Sequence, residues 1–140
     1  MKIKVTVYLG IGTNLGDKEE NIERALCLLE ERVGELLRCS SMYYSKPWGF
    51  VSKNDFVNVV AAFVTELSPH ELLERTQQVE KAMGRIKKSG DGVYHDRVID
   101  VDILLYGDQH VEEPGLVIPH PLMGERDFVM VPLNEIIKAR

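Results

Sequence analysis

Cysteine is scarce in this sequence: the 140 residues include two, Cys27 and Cys39, together with a single tryptophan. Two thiols cannot build a disulfide scaffold, and no spacing of Cys and His residues matches a zinc site. A chain of this length buries enough apolar surface to fold without such cross-links. We therefore expect both cysteines to be reduced, as they are in the cytoplasm.

Long apolar runs and an excess of positive charge are also missing. The longest apolar run spans residues 59–64, far short of the roughly 20 residues of a membrane helix. The 17 basic residues are outnumbered by 22 acidic ones, which gives a formal net charge of −5 and argues against binding to nucleic acid or to an anionic membrane. No linker-like stretch or repeat divides the chain, so we expect one domain over residues 1–140.

Apolar side chains alternate with polar ones at the start of the chain. This period of two predicts a strand, carried by Val5, Val7, Leu9 and Ile11. Glycines at positions 10, 12 and 16 match neither the dinucleotide fingerprint nor the phosphate-binding loop that ends in Gly-Lys-Ser/Thr, and we interpret them as a tight turn. Apolar residues at helical spacing from 22 to 33 then predict a helix that Gly34 closes.

Three more strands are predicted, at residues 36–45, 56–65 and 98–107. Between the last two, Ser68 and Glu71 form a capping box with Pro69 at the first helical position, and Gly84 is placed to end the helix. The order β-α-β-β-α-β predicts an α+β, ferredoxin-like fold, with an antiparallel sheet and two helices packed on one face. The proline-containing segment after residue 107 and a final helix are predicted as a short C-terminal appendage.

The segment DRVIDVDILLYG, residues 96–107, carries the strongest chemical signal. Side chains two apart in a strand share a face, with Cα atoms about 6.6 Å apart. Asp100 and Asp102 should therefore point the same way, together with Leu104 and Tyr106. Two convergent carboxylates suit Mg²⁺, which proteins usually hold with one or two carboxylates and phosphate oxygens. The alternative is a solvated strand face, although aspartate is unfavourable in strands.

A second signal is a local reversal of charge. Residues 81–97 contain five basic and two acidic residues, a local charge of +3 within a chain of −5. Beside paired carboxylates, such a loop is suited to clamp a metal-bound polyphosphate. The alternative is a solvated loop whose basic residues complement the dipole of the preceding helix.

Aromatic and histidine side chains give weaker signals. Phe56, Trp48 and Phe128 are candidates for stacking on a planar ring, and Asn58, on the same strand face as Phe56, for hydrogen bonding to the polar edge of that ring. The alternative is that these aromatics belong to the core. From its IPHPL context alone, we interpret His120 as a turn histidine.

Five segments together resemble the 6-hydroxymethyl-7,8-dihydropterin pyrophosphokinase family of folate biosynthesis over about residues 6–137. They are GIGTNLGD, PWGF with FVNVV, LLERTQQVEKAMGR, DRVIDVDILLYG and IPHPLMGERDFVMVPLNEI. The resemblance implies a ferredoxin-like fold and Mg²⁺-dependent transfer of pyrophosphate from ATP to the hydroxymethyl oxygen of the pterin, with release of AMP. It also implies that the chain is a single catalytic domain in the cytoplasm whose partners are small molecules. We expect this domain to be a monomer.

The resemblance further implies a role for individual residues. Asp100 and Asp102 are expected to bind two Mg²⁺ ions that bridge ATP and the acceptor hydroxyl, and they count as catalytic together with Arg85 and Arg97, which neutralise phosphate charge. The pterin-binding positions are Ser45, Trp48, Phe56, Asn58 and Phe128, with the two phenylalanines sandwiching the ring. The ATP-contacting positions are Gln77, Glu80, Arg85, Lys87, Arg97, Ile103, His120 and Arg126.

Two other functions are compatible with the predicted fold. A non-catalytic ferredoxin-like module would bind a small ligand and use the aspartates for a structural or regulatory ion. An RNA-binding module of the same topology is less favoured, because its central strands would present paired aromatics in a basic surround rather than Asp100 and Asp102.

Overall fold

Strand β1 (Val5–Thr13) lies inside the main sheet of this protein. The structure, a computed structural model, describes residues 3–46, 55–84 and 98–137. The other elements of this part of the chain are strands β2 (Gly34–Cys39), β3 (Tyr43–Ser45), β4 (Phe56–Thr65), β5 (Asp100–Tyr106), β6 (Val111–Glu113) and β7 (Leu116–Ile118), helices α1 (Lys18–Arg32), α2 (Pro69–Ala82) and α3 (Asp127–Ile137), and a short 3-10 helix (Met123–Glu125).

The main sheet is antiparallel throughout and has the strand order β2-β4-β1-β5, with β3 also paired to β4. Strands β6 and β7 form a separate hairpin. Strand β1 pairs with β4 along its whole length, from Val5 opposite Thr65 to Thr13 opposite Val57. The predicted α+β class and antiparallel sheet are confirmed, as are the bounds of β4.

The predicted strand at residues 36–45 is wrong as a single element, because it is divided into β2 and β3. The break occurs at Ser40, whose amide donates to the Val60 carbonyl at 2.9 Å while its hydroxyl accepts from the Val60 amide at 3.0 Å. A side-chain oxygen thus replaces a backbone carbonyl as acceptor. The chain leaves the regular ladder here while both backbone groups of Val60 stay paired.

Side-chain caps determine where the first two helices begin. The Asp17 carboxylate accepts from the Glu20 amide at 3.2 Å, and the predicted capping box of Ser68 and Glu71 is present in both directions. Gly34 does not close α1 but begins β2, where a β-carbon would collide with the backbone carbonyl of Val64. In the described ranges, no helix combines the length and apolarity needed to cross a membrane.

The two faces of the sheet are covered by different helices. Helices α1 and α2 pack on the face formed by alternate apolar residues, which include Leu9, Val59, Phe63 and Val101. Helix α3 packs on the opposite face, against Tyr8, Val60, Ala62 and Leu104. The C-terminal segment predicted as an appendage therefore supplies the second apolar layer of the fold.

Strand β5 contains a β-bulge at Leu104. Leu9 pairs with Ile103 and Tyr8 with Leu105, so Leu104 is the extra residue. The bulge inverts the alternation beyond it: Leu104 packs on the α3 face as predicted, but Tyr106 turns to the α1/α2 face and its hydroxyl donates to the Leu67 carbonyl at 2.6 Å. The prediction that Tyr106 shares a face with the aspartates was wrong for this reason.

Candidate active site

The registers of three neighbouring strands bring the predicted polar residues into two rows on the α3 face. In one row Gly12 lies opposite Asn58 of β4 on one side and Asp100 of β5 on the other. In the next row Gly10 lies between Val60 and Asp102. Because the central strand has glycine at both positions, the sheet has a side-chain-free floor between the amide and the carboxylates.

A pocket opens above this floor, between the sheet and the start of α3; we call it the sheet–α3 pocket. It is lined by Gly10, Gly12, Ser45, Lys46, Phe56, Asn58, Val59, Asp100, Asp102, Leu104, Arg126, Phe128 and Val129. Seven of the residues predicted for pterin, metal or ATP therefore line one pocket, although they come from three strands, the residue before α3 and the first turn of α3. They are Ser45, Phe56, Asn58, Asp100, Asp102, Arg126 and Phe128.

One side of the sheet–α3 pocket is suited to a flat polar molecule. Phe56 and Asn58 are buried, each 9% exposed, and Phe128 is half-buried. The Ser45 hydroxyl is buried and has no hydrogen-bond partner among the described residues. A buried hydroxyl without a partner is costly, so a ligand that offers a donor or acceptor at this point would be stabilised.

Arg126 lies beside the aromatic wall. Its guanidinium carbon is 5.6 Å from the centroid of the Phe128 ring, within cation–π distance. Burial lowers the pKa of the Arg126 guanidinium, but an arginine remains charged in a protein. The pocket therefore has a buried positive charge on the side of α3 and two carboxylates on the side of β5.

Asp100 and Asp102 are half-buried and both line the pocket, so the predicted shared face is confirmed. Within the described ranges, no group of three or more His, Cys, Asp or Glu side chains could hold a metal ion. Two carboxylates are nevertheless a common number of protein ligands for Mg²⁺ when substrate phosphates supply further oxygen ligands. Hard oxygen donors in an open pocket thus fit Mg²⁺ better than zinc, which prefers Cys and His ligands.

A second cavity, which we call the β5–β7 cavity, adjoins the sheet–α3 pocket. Its lining is Leu73, Val101, Asp102, Ile103, Gly115, Leu116, Val117, His120 and Pro121. Asp102 lines both spaces and so stands between them. Two of the predicted ATP contacts, Ile103 and His120, belong to this cavity.

His120 also has a structural role. Its amide donates to the carbonyl of the bulged residue Leu104 at 3.1 Å, and its Nδ1 accepts from the Leu122 amide at 3.3 Å. The interpretation of His120 as a turn histidine and its predicted position in a nucleotide site are therefore compatible.

Two predicted ATP contacts on α2 lie outside both linings. Gln77 is exposed on the helix surface. Glu80 is 4% exposed, and its carboxylate accepts from the Val101 amide at 2.8 Å. Val101 separates the two aspartates in β5, so this hydrogen bond anchors the strand that carries them.

Some predicted residues cannot be compared with the structure. Trp48, Arg85, Lys87 and Arg97 lie outside the described residues, as does nearly all of the basic segment that follows α2. Their predicted roles stay predictions.

Sequence reasoning missed several residues of the pocket. The interpretation of Gly10 and Gly12 as a tight turn is wrong: both lie within β1, and only Gly16 of the three glycines has a turn conformation, with a φ of 71°. The missed signal was their spacing of two, which continues the strand alternation on the face opposite Leu9 and Ile11. Lys46, Val59 and Val129 reach the pocket through tertiary packing alone. Leu104 lies on the predicted face of the aspartates, but sequence reasoning assigned it no role in a site.

Comparison with known proteins identifies the family. The family model of 7,8-dihydro-6-hydroxymethylpterin-pyrophosphokinase (HPPK) matches residues 8–138. The chain belongs to the HPPK family. It is 48% identical over 131 residues to the 2-amino-4-hydroxy-6-hydroxymethyldihydropteridine pyrophosphokinase of Porphyromonas gingivalis, covering 93% of this chain and 89% of that protein. It is 38% identical over 130 residues to the pyrophosphokinase of the same name from Bacillus subtilis, covering 92% of this chain and 76% of that one.

Solved HPPK structures share the fold. A crystal structure of an HPPK-DHPS in complex with substrates superposes with a TM-score of 0.74 at 15% identity, over 96% of this chain and 40% of that chain. The wild-type Plasmodium falciparum HPPK-DHPS with pteroate gives a TM-score of 0.76 at 14% identity, over 96% of this chain and 41% of that chain. This HPPK chain thus spans about two fifths of those longer proteins.

Proposed function

We propose that this HPPK-family chain transfers pyrophosphate from ATP to the hydroxymethyl group of 6-hydroxymethyl-7,8-dihydropterin, giving AMP and the pterin diphosphate in folate biosynthesis. The names of its relatives support this activity. The observation that carries the proposal is that paired aspartates and a buried aromatic and amide wall face one pocket. That combination fits an acceptor that has a flat ring and an alcohol.

The pterin is assigned to the aromatic side of the sheet–α3 pocket. Phe56 and Phe128 provide apolar surfaces for the ring, and the Asn58 carboxamide offers both a donor and an acceptor to its polar edge. The buried Ser45 hydroxyl is a further group for that edge. Trp48, outside the described residues, belongs to the same proposal through the resemblance.

The reacting groups are assigned to the β5 side. Asp100 and Asp102 would hold two Mg²⁺ ions, and bound Mg²⁺ neutralises phosphate charge and lowers the pKa of a coordinated hydroxyl. Through these ions, the two carboxylates would orient the acceptor hydroxyl for attack on the β-phosphorus of ATP. In that transfer a bond forms between the hydroxyl oxygen and the β-phosphorus, and the bond from this phosphorus to the oxygen that bridges to the α-phosphate breaks. AMP leaves with the bridging oxygen, and the hydroxyl proton passes to water.

ATP is assigned to the β5–β7 cavity and its surroundings. Ile103 and His120 line that cavity, and Asp102 connects it to the acceptor. Arg126 contributes positive charge, with Arg85, Lys87 and Arg97 proposed to neutralise the phosphates. Gln77 and Glu80 complete the set by resemblance, and the buried hydrogen bond of Glu80 to Val101 supports an indirect contribution.

The topology also supports a finer fold assignment. In the order β2-β4-β1-β5, the two central strands β4 and β1 are flanked by the outer strands, and α1 and α2 lie together on one face. We propose that this is the ferredoxin-like arrangement, extended by α3 on the opposite face. We further propose that the chain is a single catalytic domain and acts as a monomer in the cytoplasm. Light scattering after size-exclusion chromatography tests the oligomeric state.

The decisive experiment follows both nucleotide and pterin products. With Mg²⁺, ATP and 6-hydroxymethyl-7,8-dihydropterin, the purified protein should form AMP and pterin diphosphate in equal amounts, and chelation of the metal should stop turnover. ADP as the nucleotide product would contradict pyrophosphoryl transfer. Titration with a non-hydrolysable ATP analogue tests the alternative, because binding that does not depend on Mg²⁺ would favour a non-catalytic module.

A further inference from the structure

The two glycines on the floor of the sheet–α3 pocket need an explanation. Glycine in the interior of a strand is unfavourable, because it loses more conformational freedom than other residues and packs no side chain. Gly10 and Gly12 lie in β1 with a paired strand on each side. Neither has a positive φ, so backbone conformation does not require glycine at either position.

Space distinguishes the two positions. A β-carbon at Gly12 would overlap the carboxamide oxygen of Asn58 and lie 3.3 Å from its Cγ. A β-carbon at Gly10 would meet the side chain of Leu104 at 3.5–3.6 Å, an ordinary van der Waals contact. Alanine thus fits at Gly10 without displacement, whereas at Gly12 it would have to move the Asn58 carboxamide.

The Asn58 carboxamide therefore occupies the volume that any other residue at position 12 would fill. Asn58 is buried, faces the pocket and lies directly opposite Gly12 in the register of β1 and β4. Because Gly12 has no side chain, the Asn58 carboxamide lies over the β1 backbone, in the row formed by Asn58, Gly12 and Asp100. The position of the carboxamide therefore depends on the absence of a side chain at Gly12.

We propose that Gly12 is a specificity-determining residue that acts through Asn58, by leaving the space in which the carboxamide meets the polar edge of the bound heterocycle. The proposal rests on the proposed function for the identity of that heterocycle. Gly10 has no such role. A side chain at position 12 weakens pterin recognition selectively and leaves the nucleotide site unchanged.

The variant Gly12→Ala and the control Gly124→Ala test this role, because Gly124 lines neither the sheet–α3 pocket nor the β5–β7 cavity and a β-carbon there would meet nothing within 4 Å. For Gly12→Ala we expect the pterin KM to rise about tenfold or more, as for a lost buried hydrogen bond. Its KM for ATP, and both KM values of Gly124→Ala, should stay within about twofold of the wild type. Equal effects of the two variants, or an equal rise in both KM values of Gly12→Ala, would overturn the proposal.

A double-mutant cycle tests whether Gly12 acts through Asn58. In an Asn58→Ala background the carboxamide is absent, so adding Gly12→Ala should change the pterin KM by no more than about twofold. A full additional effect in that background would contradict action through Asn58. If Gly12→Ala alone fails to fold, the double variant should fold, because the overlapping group has been removed; failure of both would also overturn the proposal.

Thermal unfolding of the same variants measures the coupling between Gly12 and Asn58 independently of activity. Gly12→Ala should lower the Tm when Asn58 is present and have a smaller effect when it is absent. If the wild type turns over no pterin and ATP but this coupling is found, the proposed function fails while the steric link between Gly12 and Asn58 stands. If turnover is found without the coupling, the steric link fails and the proposed function stands.

Discussion

The two faces of the main sheet are built from the same strands but have different roles. On the α1/α2 face, alternate residues such as Leu9, Val59 and Val101 are buried and apolar along the whole strand length. On the α3 face, the apolar layer that includes Tyr8 and Val60 gives way to glycines, Asn58 and the two aspartates. One face stabilises the fold, and the other leaves part of its packing unfilled to form a pocket.

The largest effect on stability should come from the α1/α2 face. Phe63 is completely buried there, so Phe63→Ala should lower the free energy of unfolding by about 3–5 kcal/mol through lost burial and a cavity. Denaturant unfolding measures the change. Val131→Ala on the exposed side of α3 is the control, expected within about 0.5 kcal/mol. Similar losses for both variants would contradict the role of Phe63 in the buried core of the α1/α2 face.

The largest effect on activity should come from the α3 face. Asp102→Asn should lower kcat on the order of 10²–10³-fold, because it removes a carboxylate from the reacting side of the pocket. The control Asp108→Asn makes the same change at an exposed residue after β5 and should be neutral. Kinetics and unfolding are measured together. A loss of kcat that merely follows a loss of folded protein would speak against a direct role.

A helix cap should affect stability alone. Ser68→Ala removes the side-chain acceptor for the Glu71 amide and should cost about 0.5–2 kcal/mol of unfolding free energy. Because α2 packs on the face away from the sheet–α3 pocket, the KM for the pterin should not change. A raised pterin KM in the folded variant would mean that the two faces are coupled.

The smallest effect is expected at the bulged end of β5. Tyr106→Phe removes the hydrogen bond to the Leu67 carbonyl, worth about 0.5–1.5 kcal/mol. Burial, and next the charge of Glu71, raise the pKa of Tyr106. The unfolded state therefore loses this proton first, so the stabilisation is complete below the ordinary tyrosine pKa of about 10 and is lost as pH rises through the folded value.

Unfolding of the wild type and of Tyr106→Phe across alkaline pH tests this sign. The variant should lose less stability than the wild type between neutral and alkaline pH. A steeper loss in the variant would contradict the assignment.

Local patterns were sufficient for the elements whose signals lie close together in sequence. The β-branched run of residues 56–65 and the Ser68, Pro69 and Glu71 cap predict β4 and the start of α2 at their observed bounds. The shared face of Asp100 and Asp102 follows from the period of two, and both do line one pocket. In each case the neighbouring residues determine the conformation without help from the rest of the chain.

Features that depend on a partner strand could not be predicted in this way. The break at Ser40 follows from its two hydrogen bonds to Val60, and the turn of Tyr106 toward α2 follows from the register shift opposite Tyr8 and Leu9. A change of register moves every later side chain to the other face. No local sequence pattern predicts such a change of register.

Residues 5–13 illustrate the boundary between the two kinds of information. Alternating apolar residues alone are enough to specify β1 and its buried face. That Gly10 and Gly12 form a pocket floor, and that only Gly12 lies under a carboxamide, required β4, β5 and α3 in place. The physical reason is that a period is a property of one strand, whereas an empty volume is defined by the atoms of the elements that surround it.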